Sequence, residues 1–94
     1  MRYRILCVGI DLGLLKTRQA LLGSRGYDSL IATPEDFAEK LRSGKFHLVI
    51  LSAMLSQEDK RLIQAKLPAD TRLLVWERLV LPEELLRMVA EALG

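Results

Sequence analysis

Apolar runs alternate with amphipathic stretches along the whole chain. Arg4 to Ile10 (RILCVGI) is apolar almost throughout and predicts a first strand. Asp11 can cap the helix that follows, with Leu14, Leu15, Leu21 and Leu22 as its apolar face, and the glycines of Gly-Ser-Arg-Gly at 23–26 end it. Tyr27 to Ala32 reads as a second strand. Thr33-Pro34-Glu35-Asp36 then predicts a helix start, with Thr33 as N-cap, Pro34 as first helical residue and two acids against the positive end of the helix dipole. Phe37, Ala38 and Leu41 make its buried stripe, and Ser43-Gly44 stops it.

The third apolar run, His47 to Leu51, holds four consecutive aliphatic residues and predicts a strand buried on both faces, emerging at Ser52. Ser56-Gln57-Glu58-Asp59 opens a third helix with Leu62 and Ile63 on its core side, ended by Pro68. Arg72 to Trp76 predicts a fourth strand. After Leu79, Val80 and Leu81, Pro82-Glu83-Glu84 starts a last helix with Leu85, Met88, Val89, Ala92 and Leu93 inward. The order is β-α-β-α-β-α-β-α. Crossovers of helical length between strands imply an α/β fold, one parallel sheet with helices on both faces.

Composition adds limits. Ninety-four residues make one domain, spanning 1–94. Half the residues are hydrophobic and 28% charged, a soluble globular balance. The net charge of +2 comes from 14 basic and 12 acidic residues scattered along the chain. No basic block occurs, so nucleic-acid binding is not expected. The lone Cys7 sits in an apolar run and reads as an inert core thiol. The N-terminal apolar run is too short for a membrane span and lacks a cleavage pattern, so a cytoplasmic protein without membrane contact is expected.

From residue 20 to 55, ALLGSRGYDSLIATPEDFAEKLRSGKFHLVILSAML resembles the receiver domain of bacterial response regulators in its leucine-rich first helix, RGY turn, acidic second helix and SGKF before the third strand. The resemblance implies a flavodoxin-like sheet of order 2-1-3-4, with a fifth strand outside the fourth in a full receiver. It also implies where a phosphorylation site would lie. The acceptor aspartate at the end of the third strand is matched by Ser52. The acidic pair that holds Mg²⁺ is matched by Gly9 and Ile10, with Asp11 the only acid nearby. The lysine before a proline is matched by Leu81, and the hydroxyl residue ending the fourth strand by Trp76. A single carboxylate beside a serine is a poor Mg²⁺ site, because this cation wants several oxygen ligands. The resemblance therefore implies a pseudo-receiver with a dismantled site: no catalysis, no cofactor and no metal.

Other chemistry is no better supplied. Ser52 as a nucleophile would need a base, and His47, the only histidine, lies at the other end of its strand, about 15 Å away at strand rise. Gly9 and Gly13 do not have the spacing of a phosphate-binding loop. The chain is also short for a receiver. Either Leu79-Val80-Leu81 is a residual fifth strand, or the fourth strand is an edge carrying Leu73, Leu74, Val75 and Trp76. Trp76 then either fills the core or anchors an interface. The expected function is a signalling module acting through a protein partner or a second copy, with Leu73, Val75, Trp76, Arg78, Leu79 and Leu81 as candidate interface. The alternative is a nucleotide-type ligand in the strand-end crevice around Gly9, Ile10, Asp11 and Ser52.

Overall fold

A computed structural model describes residues 2–76 and 80–94. The expected alternation is present in full: β1 (Arg4–Val8), α1 (Leu12–Ser24), β2 (Asp28–Ala32), α2 (Phe37–Arg42), β3 (Leu48–Leu51), α3 (Gln57–Lys66), β4 (Arg72–Val75) and α4 (Pro82–Leu93). The four strands form one parallel sheet in the order β2-β1-β3-β4. In register, Leu6 lies between Leu30 and Val49, and Val49 in turn faces Leu73.

Strand alternation divides the core into two layers. Ile5, Cys7, Leu48 and Ile50 point to the side covered by α1 and α4, where they meet Leu15, Leu22, Leu85, Val89 and Leu93. Leu6, Val8, Val49 and Leu51 point to the opposite side and meet Phe37 and Ile63 of α2 and α3. The central strands are buried on both faces, which is why they read as unbroken apolar runs.

Local signals act where expected at two helices. The Leu14 N–H donates to Asp11 Oδ1 at 3.1 Å, and the Asp59 N–H donates to Ser56 Oγ at 3.0 Å. Gly26, at φ 84°, supplies the left-handed residue after α1.

Three expectations need correction. Thr33 does not cap α2. Asp36 Oδ1 accepts from the Thr33 N–H at 2.7 Å and its hydroxyl at 3.2 Å, closing a turn over residues 33–36, so the helix begins three residues later than expected. Leu62 is 55% exposed, while Lys60 is buried with Ile63 on the core side of α3. Val80 and Leu81 form no strand; Val80 packs on the α1/α4 layer and Leu81 is exposed. Of the two alternatives for the fourth strand, the edge is the one present: β4 is the outer strand of the described sheet, with its side chains packed on the two layers. Leu73 and Val75 pack on one layer and Leu74 on the other, because a strand buries its two faces before its edge. Arg78 and Leu79, placed in the candidate interface, lie outside the described residues.

Candidate functional site

The carboxyl ends of parallel strands are where folds of this type place their chemistry. Here Gly9 and Ser52 stand side by side on adjacent strands, extending the ladder beyond β1 and β3. The Ser52 N–H donates to the Val8 carbonyl at 2.9 Å, and the Gly9 N–H to that of Ala32 at 3.0 Å. Ser52 is buried, and its Oγ accepts only a long 3.5 Å bond from the Met54 N–H. A Cβ added to Gly9 would lie 3.1 Å from Ser52 Cβ and 3.2 Å from Leu15 Cδ2. The space that a side chain at position 9 would use is already filled.

The remaining expected positions are dispersed. Ile10 turns outward and is exposed. The Asp11 carboxylate is committed to the first turn of α1. Leu81 precedes α4 with its side chain in solvent. Leu12 and Met54 at this end are exposed as well. Among the described residues at the matched positions, a Mg²⁺ ion would find one capping carboxylate and one buried hydroxyl. That donor set does not fit a cation needing near-octahedral oxygen ligands. Among the described residues, no group of three His, Cys, Asp or Glu side chains could hold a metal.

Trp76 belongs to the core. It is 2% exposed, and its N–H continues the β3–β4 ladder to the Leu51 carbonyl at 3.1 Å. Of the two placements expected for Trp76, core filler or interface anchor, the structure shows the first. The ring packs in the layer between the sheet and helices α1 and α4.

Two cations missed in the sequence hold Trp76. The Arg18 guanidinium carbon lies 4.6 Å from its ring centroid, and Lys60 Nζ donates to its carbonyl at 3.4 Å. Both Arg18 and Lys60 are buried. Burial lowers the Arg18 pKa, partly opposed by Cys7 and Asp11. Burial also pushes the Cys7 thiol up to about 12, with Arg18 pulling the other way, so Cys7 is a neutral thiol at physiological pH. The signal for both cations was spacing. Arg18 stands three residues from Leu15 and four from Leu22, and Lys60 three before Ile63, so each shares the buried stripe of its helix.

His47 has a structural role at the opposite end. Its Nδ1 accepts the Arg4 N–H at 2.9 Å, and its ring meets Tyr3 edge-on at 5.2 Å. It is not a partner for Ser52.

No family model and no curated protein matches this sequence. Among solved structures, the chain is similar to the crystal structure of a response regulator receiver domain protein (CheY-like) from Methanospirillum hungatei JF-1. The TM-score is 0.70 at 21% identity, covering 99% of this chain and 94% of the other. The fold is that of a CheY-like receiver. No helix among the described residues is long and apolar enough to cross a membrane.

Proposed function

We propose that this chain is a receiver-like signalling module that works through protein–protein contact and not through phosphoryl transfer. The observation that carries this reading is the packing of Gly9 against Ser52 and Leu15. Phosphoryl transfer to a receiver-type carboxylate needs an acceptor, a metal held by further acids, and neutralisation of the developing charge. The acceptor position holds a buried serine, and the acid-pair positions hold a glycine without free space and an outward isoleucine. The same filled space gives no support to a nucleotide-type ligand in the crevice.

The contact we assign is the outer edge of β4, with a second copy of the chain or another protein. The Arg72 and Trp76 N–H groups donate to the His47 and Leu51 carbonyls. In a parallel ladder alternate residues bond to the same neighbour, so the N–H groups of Leu73 and Val75 face outward. Unpaired strand edges invite a further strand.

Two measurements test this. Titration with beryllofluoride and Mg²⁺, followed by Trp76 fluorescence, is expected to give no saturable change; a saturable change would overturn the phosphorylation-independent reading. Val75→Pro removes an outward N–H while sparing the ladder to β3. It is expected to lower the mass measured by light scattering while circular dichroism stays native, and an unchanged mass for an associating protein would overturn the edge assignment.

A further inference from the structure

The bases that are scattered in sequence are gathered in space. Arg2, Arg25, Arg42, Lys45, Lys66 and Arg72 are all exposed. Each lies before or at the start of a strand or at the end of a helix, so the parallel topology brings all six to the amino-terminal end of the sheet. None of them makes an ion pair with a described carboxylate. Of the acids at this end, Asp28 is 3.5 Å from Arg4 and Glu91 is 3.7 Å from Arg87, which leaves Asp70. Four helix carboxyl ends contribute roughly half a negative charge each. Six bases against Asp70 and those dipoles leave about three positive charges on one end of a small domain.

Aromatic rings are gathered there too. Tyr3 is 41% exposed, with its ring set edge-on against His47 and 6.4 Å from that of Tyr27. Phe46 lies beneath the Arg4 guanidinium at 4.7 Å. Beside them a cleft of about 200 Å³ is lined by Tyr3, His47, Asp70, Arg72 and Leu93.

We propose that this end binds single-stranded nucleic acid, with phosphates on the exposed bases and one base stacked on Tyr3 at the mouth of the cleft. Positive charge along a surface combined with an accessible aromatic face is the physical basis of such binding. A duplex is a poorer fit, because this end presents loops and no helix or ribbon that could enter a major groove. An anionic lipid surface fits less well, because the exposed aliphatic residues Ile10, Leu12, Met54 and Leu81 follow strands or precede helices at the opposite end. The inference reverses the expectation drawn from the scattered charges, and it does not depend on the β4 edge.

The test is fluorescence anisotropy of a labelled oligouridylate with the full chain. Saturable binding is expected. With four phosphates neutralised, affinity should fall about 50-fold between roughly 50 and 200 mM salt. Tyr3→Ala should weaken binding about tenfold, while Tyr3→Phe keeps it, since the ring supplies the stacking. Lys45→Glu should weaken binding more than Lys16→Glu, which changes net charge equally on the exposed face of α1. Thermal unfolding of each variant shows that the fold is intact. Absence of binding at the lower salt would overturn the proposal, as would equal effects of the two lysine substitutions or an unchanged affinity for Tyr3→Ala. Binding to phosphatidylserine vesicles without binding to the oligonucleotide would replace it with a lipid surface.

Discussion

The two ends of the sheet are built on opposite principles. At the carboxyl ends of the strands, the positions matched to a receiver's acids are packed or turned away: Gly9 lies against Ser52 and Leu15, Ile10 is exposed, and Trp76 fills the adjoining layer under Arg18. At the amino ends, polar and aromatic groups remain open: Tyr3 is accessible, six bases are exposed, and a cleft lies among them. Apolar atoms packed at one end add core, whereas loops at the other end are free to carry charge.

The largest test of this contrast compares Trp76 with Tyr3. Trp76→Ala opens a cavity in the α1/α4 layer and removes the group on which Arg18 stacks. It should cost about 3–5 kcal/mol in urea denaturation followed by circular dichroism. Tyr3→Ala, at the open end, should cost about 1 kcal/mol or less. Equal costs would remove the distinction between a closed end and an open one.

A smaller effect is expected from Gly9→Ala. The added methyl would press on Ser52 Cβ and Leu15 Cδ2, and relieving that contact should cost about 1–3 kcal/mol by the same assay. Pairing it with Ser52→Gly, which removes one of the two clashing groups, should recover part of the loss. A neutral or stabilising Gly9→Ala would mean that the crevice is roomier than its packing indicates, and would revive the ligand reading for that end.

Most of the fold was legible in the sequence because strands buried on two faces cannot hide. Leu48 to Leu51 could be nothing else, and the caps at Asp11 and Ser56 fixed the starts of two helices. The candidate site was legible as the residues at the positions the resemblance picks out, but its packing was not. Arg18 and Lys60 were passed over because a charged residue is normally solvated. Only its place in a leucine-isoleucine stripe reveals that its stem is buried and its charge directed at Trp76. The basic end was illegible for a different reason. Its members are up to seventy residues apart in sequence, and only the parallel topology, which returns every helix to the same edge, brings them together.

Cys7 tests the dryness of the α1/α4 layer. Its folded pKa of about 12 stands above the ordinary value of 9.0 because burial disfavours the thiolate. Above pH 9 the unfolded chain loses this proton while the folded chain keeps it, so stability is full below that pH and falls as pH rises. The slope is about 1.4 kcal/mol per pH unit up to the folded pKa. Denaturation midpoints measured at pH 8, 9 and 10 should show this decline, and Cys7→Ala should flatten it. A decline that persists in Cys7→Ala belongs to other groups, and rapid reaction of the native thiol with a disulfide reagent at pH 8 would show that the layer is open.

The smallest expected effect bears on Asp11, the capping carboxylate at the closed end. Asp11 holds the Leu14 N–H at 3.1 Å, so Asp11→Ala should destabilise the protein by about 1 kcal/mol, the ordinary worth of a helix cap. Asp11→Asn and Asp11→Ser, which keep an acceptor at the cap without the charge, should recover most of that loss. A cation ligand would behave differently: neither substitute would replace the charge, and Mg²⁺ would raise the melting temperature of the wild-type protein but not of the variants. The expected result is a melting temperature independent of Mg²⁺ in all four proteins. A Mg²⁺-dependent rise confined to the wild type would make Asp11 the remnant of a working site, and the two ends of the sheet would then differ in degree and not in kind.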